Sequence, residues 1–303
     1  MTAATLRVGT PGLHTLVVDA GRPRSRSLGV PVGGAADRFA LAVANALVGN
    51  APDAAGLEVA LVGPTLTIDA PIGGAVWGVD VELTLAGRPL AVGQTFTLHP
   101  GDELRIGSVT CGVRAYLAVA GGIDAPLVLG SRSSLAPLRA GETLACHSRR
   151  IASRFVRLKD ASTTAGPTVL RVLPGGQADW FPPKALAARP FRVTPASNRM
   201  GLRLAGDPLP LPAGEMVSEP VCPGTVQVTR DGGCIVLGVD GGTIGGYPRI
   251  AQVIAADLDR LGQLRPGDAL RFEPVTLDEA ERLDNDQSAR QRTILARLRL
   301  ATG

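Results

Sequence analysis

The chain has 303 residues, of which 45% are hydrophobic, so it is long enough for two domains of ordinary size with sizeable cores. Only 3% of the residues are aromatic, which leaves few platforms for stacking bases or sugars. The net charge of +4, from 31 basic and 27 acidic residues, shows no clustered basic stripe, so nucleic acid is excluded as a partner. The nearest approach to a stripe is Arg22, Arg24 and Arg26, which are interpreted as a solvated loop.

The start of the chain and its cysteines predict where the protein resides. The opening residues, MTAATLRVGTPG, lack a basic segment followed by an apolar one, and no stretch approaches the roughly 18 apolar residues of a membrane span. Cys111, Cys146, Cys222 and Cys234 show no Cys-x-x-Cys spacing. We therefore expect a soluble cytoplasmic protein with reduced cysteines and no membrane partner.

Short runs rich in β-branched residues and leucine, separated by frequent glycine and proline, are typical of many short strands. Clear examples lie at 81–87, 95–101, 103–107 and 233–240. The sequence therefore predicts a mainly β protein.

Helical spacing of apolar residues occurs in three places. The first is 36–50 and the second is 247–264. The third is the tail, where Thr276 and Glu279 form a capping box ahead of an apolar repeat. We expect these few helices to accompany the strands.

A polar stretch rich in Ser, Thr, Gly and Pro, RLKDASTTAGPT, separates two strand-rich halves. It predicts an N-terminal domain at 1–157, a linker at 158–168, and a C-terminal domain at 169–303 that ends in a helix. HPGDELRIG (99–107) and RPGDALRFE (265–273) echo each other across the halves. The echo indicates either an internal duplication or a common turn, in which Asp stabilises the turn and Gly supplies a positive φ.

The commonest catalytic patterns are missing. His14, His99 and His147 are far apart and predict no metal site. No Gly-x-Ser-x-Gly elbow is present, and GSRSS (130–134) is the nearest candidate for a nucleophile. Neither lysine follows a methionine, so this chain is not expected to carry covalent biotin.

Three segments combine carboxylates, arginines and glycines in a way that suits a small acidic or amide substrate. An arginine can hold a carboxylate or phosphate through two parallel hydrogen bonds, and a carboxylate can move protons. Ordinary turns are the alternative interpretation for each segment. The candidate residues are Asp19, Arg22 and Asp37 in the first, Ser197, Asn198 and Arg199 in the second, and Asp240, Thr243 and Tyr247 in the third.

The third segment, DGGTIGGYPRIAQVIAADL, places four glycines before a run with helical spacing. The free N–H groups and dipole of a helix N-terminus favour anions, which suggests a phosphate. The stretch lacks both the Gly-Lys-Ser/Thr of a P-loop and a Gly-x-Gly-x-x-Gly. The residues alone indicate a β-rich cytoplasmic protein that binds a small ligand or a partner.

Several collinear runs cover almost the whole chain. They are DAGR (19–22), GVPVGGAAD (29–37), ANALVGN (44–50), LEVALVGPTL (57–66), RAYLAVAGGI (114–123), GSRSS (130–134), SNRMGLRL (197–204), PGTVQV (223–228) and GGYPRIAQVIAADL (245–258). Together they resemble the family of allophanate hydrolase subunit 2-like proteins, which includes the C subunit of 5-oxoprolinase and carries a biotin-dependent carboxyltransferase domain.

The resemblance implies two cyclophilin-like β-barrel domains. It also implies a hydrolase subunit that is active in a complex with a subunit 1-like protein (the B subunit of 5-oxoprolinase) and a third chain (the A subunit of 5-oxoprolinase). The implied reaction opens the lactam of 5-oxoproline to glutamate with ATP, which binds at an unlocated site in the complex. One alternative is the carboxyltransferase component of a urea carboxylase or allophanate hydrolase-type system. Another is a non-catalytic regulatory partner of a subunit 1-like kinase inhibitor.

Site roles follow from the resemblance as hypotheses, with Gly245 to Pro248 expected to start a helix that closes one barrel. The loop departs from the family's usual Gln-Thr-Thr-Gly-Gly-Tyr-Pro at Gly242 and Ile244, which removes two polar groups. The implied catalytic residues are Asp240, Asp19 and Arg199, and the implied substrate-binding residues are Arg22, Ser131, Arg132, Ser197, Asn198, Thr243, Gly245, Gly246 and Tyr247.

Overall fold

The structure, a computed structural model, describes residues 2–156, 167–211 and 216–302. The chain divides into a first unit of Met1–Gly21, Gly33–Ala161 and Gln291–Gly303, and a second unit of Arg22–Val32 and Ser162–Arg290. Nearly all of the predicted linker, 158–168, lies outside the described residues. Among the residues that are described, no helix has the length and apolar character to cross a membrane.

The first unit contains two antiparallel sheets, with strand orders β11-β1-β4-β9-β6-β7 and β2-β3-β10-β5-β8. Buried residues of both sheets, among them Leu6, Leu66, Leu57 and Leu117, form one core between them. The strands are β1 (Thr2–Val8), β2 (His14–Val18), β3 (Gly56–Ala60), β4 (Thr65–Ile68), β5 (Ile72–Gly78), β6 (Val81–Leu85), β7 (Arg88–Pro89), β8 (Thr95–Leu98), β9 (Leu104–Val109), β10 (Arg114–Val119) and β11 (Thr143–Ser148).

Helix α1 (Arg38–Leu47) covers the other face of the five-stranded sheet, as the spacing over 36–50 predicts. Its apolar side packs with Trp77 and Tyr116 of that sheet. Strand β10 reads as a nearly continuous apolar run because both of its faces are covered. Leu298, from the last turns of the chain, joins the same cluster.

The second unit contains a closed barrel with the strand order β12-β19-β16-β17-β14-β13-β20, which confirms the mainly β prediction. A short ribbon, β15 with β18, is separate from the barrel. The strands are β12 (Thr168–Pro174), β13 (Phe191–Val193), β14 (Gly201–Ala205), β15 (Glu219–Pro220), β16 (Thr225–Val228), β17 (Cys234–Leu237), β18 (Ile244–Gly245), β19 (Arg249–Val253) and β20 (Ala269–Pro274). The barrel core includes Leu170, Val226 and the edge-to-face pair Phe191 and Phe272, whose ring centroids are 5.4 Å apart.

The helix predicted over 247–264 is wrong for its first half. Residues Arg249–Val253 form β19, which pairs with both β12 and β16. Ile250, Val253 and Ile254 stand at helical spacing, and over so short a run that spacing also fits a strand that leads into a helical turn. Helical structure is limited to a 3-10 turn at Ala255–Asp257 and α2 (Leu258–Leu261).

The predicted C-terminal helix is confirmed as α3 (Leu277–Thr302), and the Glu279 amide donates to Thr276 Oγ1 at 3.2 Å. The other half of the capping box is replaced, because the Glu279 carboxylate binds Arg282 at 2.7 Å. Within the second unit, Ala280 and Leu283 pack with Ile254 in a small separate cluster.

The Pro-Gly-Asp echo is explained by a shared turn. The amide of His99 donates to Asp102 Oδ2 at 3.0 Å, and the amide of Asp102 donates back to the His99 carbonyl at 3.0 Å. Arg265 and Asp268 make the same two bonds at 2.9 and 3.0 Å. RAGE at 139–142 makes a third copy, with an acidic residue in the same place. Each turn leads into a strand, so local turn chemistry suffices to produce the match.

A buried polar network fixes α1 and the loop before it to the five-stranded sheet. The Glu58 carboxylate, 1% exposed, accepts from Arg114 Nε at 3.1 Å, Tyr116 Oη at 2.8 Å and the Ala36 amide at 2.8 Å. The Tyr116 hydroxyl in turn accepts from the Asp37 amide at 2.8 Å. Burial and the Glu58 charge raise the pKa of Tyr116 well above its usual value, so its hydroxyl remains a donor.

Tyr116→Phe tests this network. We expect it to lower the free energy of unfolding by about 1–3 kcal/mol, because the buried Glu58 oxygen and the Asp37 amide each lose a partner. The control is the other tyrosine of the chain: Tyr247 is 39% exposed, and Tyr247→Phe should change stability by less than about 0.5 kcal/mol. Urea unfolding of both variants decides the matter, and equal effects would contradict a structural role for the Tyr116 hydroxyl.

Candidate functional site

The Asp19 carboxylate, one of the predicted catalytic groups, lies directly after β2 and is 9% exposed. Its Oδ1 accepts from Ser131 Oγ and Ser133 Oγ, both at 2.6 Å, and from the Gly21 amide at 2.8 Å. Its Oδ2 accepts from the Arg132 amide at 2.5 Å. The structure thus brings Asp19 together with Ser131 and Ser133 of the GSRSS segment.

These donors decide the ionisation of Asp19. Burial by itself would raise its pKa, but the hydrogen bonds from Ser131, Ser133 and the two backbone amides outweigh burial, and the pKa lies below the ordinary value of 3.8. A carboxylate that is ionised and surrounded by donors is a poor proton acceptor. The arrangement suits anchoring of the 131–133 loop better than acid or base catalysis.

Two arginines that were predicted to bind substrate, Arg22 and Arg132, differ in their surroundings. The Arg132 guanidinium pairs with Asp124 at 2.7 Å and also donates to the Ala125 carbonyl, so its side chain is directed away from Asp19. Arg22 is 4% exposed, and its amide donates to the Val32 carbonyl at 2.6 Å. The interpretation of this segment as a solvated loop is therefore wrong for Arg22, because its side chain is buried.

Arg199 and Asp240, which the sequence placed in different segments, form a two-point ion pair. Arg199 Nε lies 2.7 Å from Asp240 Oδ2, and Nη2 lies 2.9 Å from Oδ1. The Asp240 amide also donates to the Arg199 carbonyl at 3.1 Å. Glycine at 238 is required here, because a Cβ would lie 2.3 Å from the Arg199 carbonyl oxygen. The arginine is mostly buried, whereas the carboxylate is 36% exposed.

Ser197 and Asn198 build the turn that carries Arg199. Asn198 Oδ1 accepts from the Met200 amide at 2.8 Å, and the backbones of Asn198 and Gly201 pair with each other. Ser197 Oγ accepts from the Arg203 amide at 3.0 Å. Both side chains are thus engaged in local turn bonds, as the alternative interpretation of this segment expected.

The glycine-rich segment at 240–247 leads into a strand, so the predicted helix start at Gly245 to Pro248 is wrong. Ile244 and Gly245 pair with β15, and the Thr243 carbonyl accepts from the Val221 amide at 3.0 Å. The turn therefore lacks the helix N-terminus that suggested a phosphate site. Within the parts of the chain that the structure describes, no group of three or more His, Cys, Asp or Glu is arranged to hold a metal ion.

The pattern analysis did not identify a polar cluster next to this segment. Arg249 pairs with Glu219, and Gln177 joins them by accepting from Arg249 Nε at 3.3 Å and donating to Glu219 at 3.2 Å. A Cβ at Gly176 would lie 2.5 Å from the Arg249 guanidinium. The only signal in the sequence was the Gly-Gly-Gln at 175–177, whose glycines permit this close approach.

Gln227, on β16, was also missed. Its side chain lies beneath Gly245, where an added Cβ would be 2.4 Å from the Gln227 amide nitrogen. Three residues predicted to bind substrate, Gly245, Gly246 and Tyr247, are thereby placed beside a buried carboxamide. A polar residue between apolar ones in PGTVQV was the available signal.

The chain is similar to known proteins that carry a carboxyltransferase domain. The chain matches the carboxyltransferase domain, subdomain A and B, over residues 28–274. It is 35% identical to the 5-oxoprolinase C subunit of Escherichia coli, over 93% of this chain and 95% of that protein. It is 32% identical to the 5-oxoprolinase C subunit of Haemophilus influenzae, over 88% and 90%. The crystal structure of the K. lactis urea amidolyase matches with a TM-score of 0.83 and 28% identity, over 96% of this chain but only 20% of that one.

Asp19→Asn should destabilise the first unit by about 1–3 kcal/mol near neutral pH, since an NH2 group would face the amide of Arg132 or Gly21. The folded-state pKa of Asp19 is lowered, so its stabilisation is present above 3.8 and is lost as the pH falls through the folded value. The difference between wild type and variant should therefore shrink on acidification. Urea unfolding as a function of pH measures it, and a constant difference would contradict this linkage.

Gly34→Ala and Gly29→Ala form a matched pair, because both glycines have φ of +76°. A Cβ at 29 meets nothing within 4 Å, whereas one at 34 would lie 2.8 Å from the Asp19 carbonyl oxygen. We expect Gly29→Ala to cost about 1 kcal/mol from backbone strain. Gly34→Ala should cost about 1–3 kcal/mol more, from overpacking against the Asp19 loop. Equal losses in urea unfolding would show that the close approach is not maintained.

Proposed function

The chain belongs to the carboxyltransferase subdomain A and B family, and we propose that it works as the C subunit of an ATP-dependent 5-oxoprolinase-type complex. The observation that carries this proposal is the nearly end-to-end match to a stand-alone subunit, over 93% of this chain and 95% of the Escherichia coli protein. The urea amidolyase match covers a fifth of a much longer chain.

The lettered subunit names of these relatives imply a complex of several subunits. We propose that the partners are a subunit 1-like protein, the B subunit of 5-oxoprolinase, and a third chain, its A subunit. ATP is the proposed cosubstrate of the assembled complex, with activity only in that complex. The turn at 240–247 offers no helix N-terminus for its phosphates, so we do not assign ATP to this segment. The cytoplasmic location of the protein stays a prediction.

The proposed reaction needs ATP because a lactam is a poor electrophile. Transfer of the γ-phosphoryl group to the lactam oxygen activates the carbonyl carbon. One water then attacks that carbon and expels the ring amine, and another releases phosphate from the acyl phosphate, giving glutamate, ADP and phosphate. Negative charge develops on oxygen in these steps, and fixed cations and N–H groups stabilise it.

Arg199 and Asp240 are the proposed catalytic pair. The support is their geometry: a mostly buried guanidinium is held at two points by a carboxylate that is itself 36% exposed. Such a carboxylate is open to substrate while its orientation is fixed by the arginine. Asp19 is better suited to positioning, because four donors already occupy its oxygens.

A carboxyltransferase that acts on carboxybiotin delivered by another protein is the second candidate. The observation in its favour is the similarity of this chain to the K. lactis urea amidolyase, with a TM-score of 0.83. The two candidates differ in their requirement for biotin: only the second predicts that a biotinylated carrier stimulates the reaction.

The test is glutamate and ADP formation from 5-oxoproline and ATP by the complex co-purified with its two proposed partner chains. Asp240→Ala and Arg199→Ala should each lower kcat by about 100-fold or more, the range found when a charge-stabilising group is removed. Arg282→Ala is the control, because it removes a guanidinium from an exposed ion pair on α3 and should leave turnover unchanged.

A complex that forms but makes no glutamate with any chain combination would contradict the 5-oxoprolinase proposal. Stimulation by a biotinylated carrier would then favour the second candidate. Wild-type turnover in both the Asp240 and Arg199 variants would overturn the assignment of the catalytic pair alone.

A further inference from the structure

Three glutamines lie around the outside of the barrel, and their hydrogen bonding differs. Gln177 accepts from Arg249 and donates to Glu219. Gln252 accepts from Thr225 Oγ1 at 2.8 Å and donates to the Pro223 carbonyl at 3.0 Å. Both carboxamides are therefore used at each end in building the fold.

Gln227 is the exception. It is 4% exposed, yet its Nε2 makes a single long bond of 3.4 Å to the Tyr247 carbonyl, and among the described residues its Oε1 accepts no hydrogen bond. Of the buried side-chain polar atoms of the described residues only Thr194 Oγ1 lacks a partner, so the unbonded Gln227 Oε1 is open to solvent or to a ligand. On β16 it alternates with Val226 and Val228, which face the barrel core, so Gln227 faces outward, beneath Gly245.

Arg26 contacts Val221, a residue that packs against Gly245 as Gln227 does. Its Nη2 donates to the carbonyl of Val221, whose side chain is also within 3.3 Å of a Cβ built at Gly245. The Arg26 side chain is half-buried, and no carboxylate of the described residues pairs with it. Arg249, which follows the glycine-rich segment, differs from Arg26 because it forms an ion pair with Glu219. Arg26 is thus a cation held on the Val221 segment, which also packs against Gly245, with donors left for an anion.

We propose that Gln227 and Arg26 form the recognition site for a cyclic amide that carries a carboxylate. The inference rests on the proposed function, which it deepens by naming the residues that select the substrate. A ring holds its amide in the cis form, so the N–H and C=O of a lactam point the same way. The carboxamide of Gln227 matches that edge, with Oε1 accepting from the lactam N–H and Nε2 donating to its carbonyl oxygen.

The carboxylate of the same ligand would pair with Arg26. The missing side chain at Gly245 makes room for the Gln227 carboxamide itself. Gly242 and Ile244, where the loop departs from the family's usual sequence, are not part of the pair formed by Gln227 and Arg26. The site thus distinguishes a carboxylated lactam from a plain lactam by charge and from a linear trans amide by shape.

The test measures equilibrium binding of radiolabelled 5-oxoproline to the assembled complex without ATP, which separates binding from turnover. Gln227→Met keeps the length of the side chain and removes both polar atoms. We expect the dissociation constant to rise about tenfold or more, with little change in the thermal midpoint of unfolding. Gln252→Met, which removes a fully bonded carboxamide, should do the opposite and lower the thermal midpoint with nearly unchanged affinity.

Arg26→Met is tested with 2-pyrrolidinone, the same lactam without its carboxylate. The wild-type complex should bind 5-oxoproline about 10–100-fold more tightly than 2-pyrrolidinone, and Arg26→Met should lose most of that preference. Arg24→Met, at an exposed arginine of the same short turn, should retain it.

Wild-type affinity in Gln227→Met, an undiminished preference in Arg26→Met, or no binding of 5-oxoproline by the wild-type complex would overturn this site. Glutamate formation with binding unaltered in both variants would remove the site and leave the proposed function intact. Binding that depends on both residues, without glutamate formation when ATP is added, would support the site and contradict the proposed function.

Discussion

A carboxylate withdrawn from water has to be surrounded by hydrogen-bond donors, and the first unit is organised around that requirement. Asp19 gathers donors from the loop after β2 and from the GSRSS segment, and Glu58 gathers them from β10 and from the loop before α1. Segments far apart in the chain are thereby tied to one sheet. For Asp19 the donors outweigh burial and hold the pKa of the carboxyl below 3.8, so its ionised form belongs to the fold.

The second unit uses polar groups differently. Its barrel core is apolar, and the polar side chains lie outside it, under the segments at 216–224 and 240–247. Most of these groups pair with each other: Arg199 with Asp240, whose carboxylate stays 36% exposed, and Arg249 with Glu219 and Gln177. Pairing makes the arrangement rigid, which a binding site requires. The carboxamides of Gln177 and Gln252 are hydrogen-bonded at both ends, whereas Gln227 Oε1 has no partner among the described residues.

Several residues of the candidate site stand out in the chain, and the errors have two causes. Asp19 and GSRSS were both identified as segments of interest, and so were Arg199 and Asp240, because charged and hydroxyl side chains among glycines are visible locally. The helix at 247–264 was wrong for its first half because the apolar residues of a five-residue strand, together with those of the helical turn after it, fall at helical spacing. Gln227 and Arg249 were not predicted because each stands alone among apolar or glycine residues in the sequence. Only their contacts in the folded chain identify them.

Local patterns in the chain were enough to predict the mainly β class, α1, the C-terminal helix and the turn chemistry, since alternation, caps and glycine positions act over a few residues. Which polar groups serve the fold and which remain open was settled only by the way the chain folds. Asp19 binds the 131–133 loop, Arg132 pairs with Asp124, and Gln227 Oε1 has no hydrogen-bond partner among the described residues. The physical reason is that hydrogen-bond saturation depends on partners tens to hundreds of residues away, and a chain read in order does not show which of them meet.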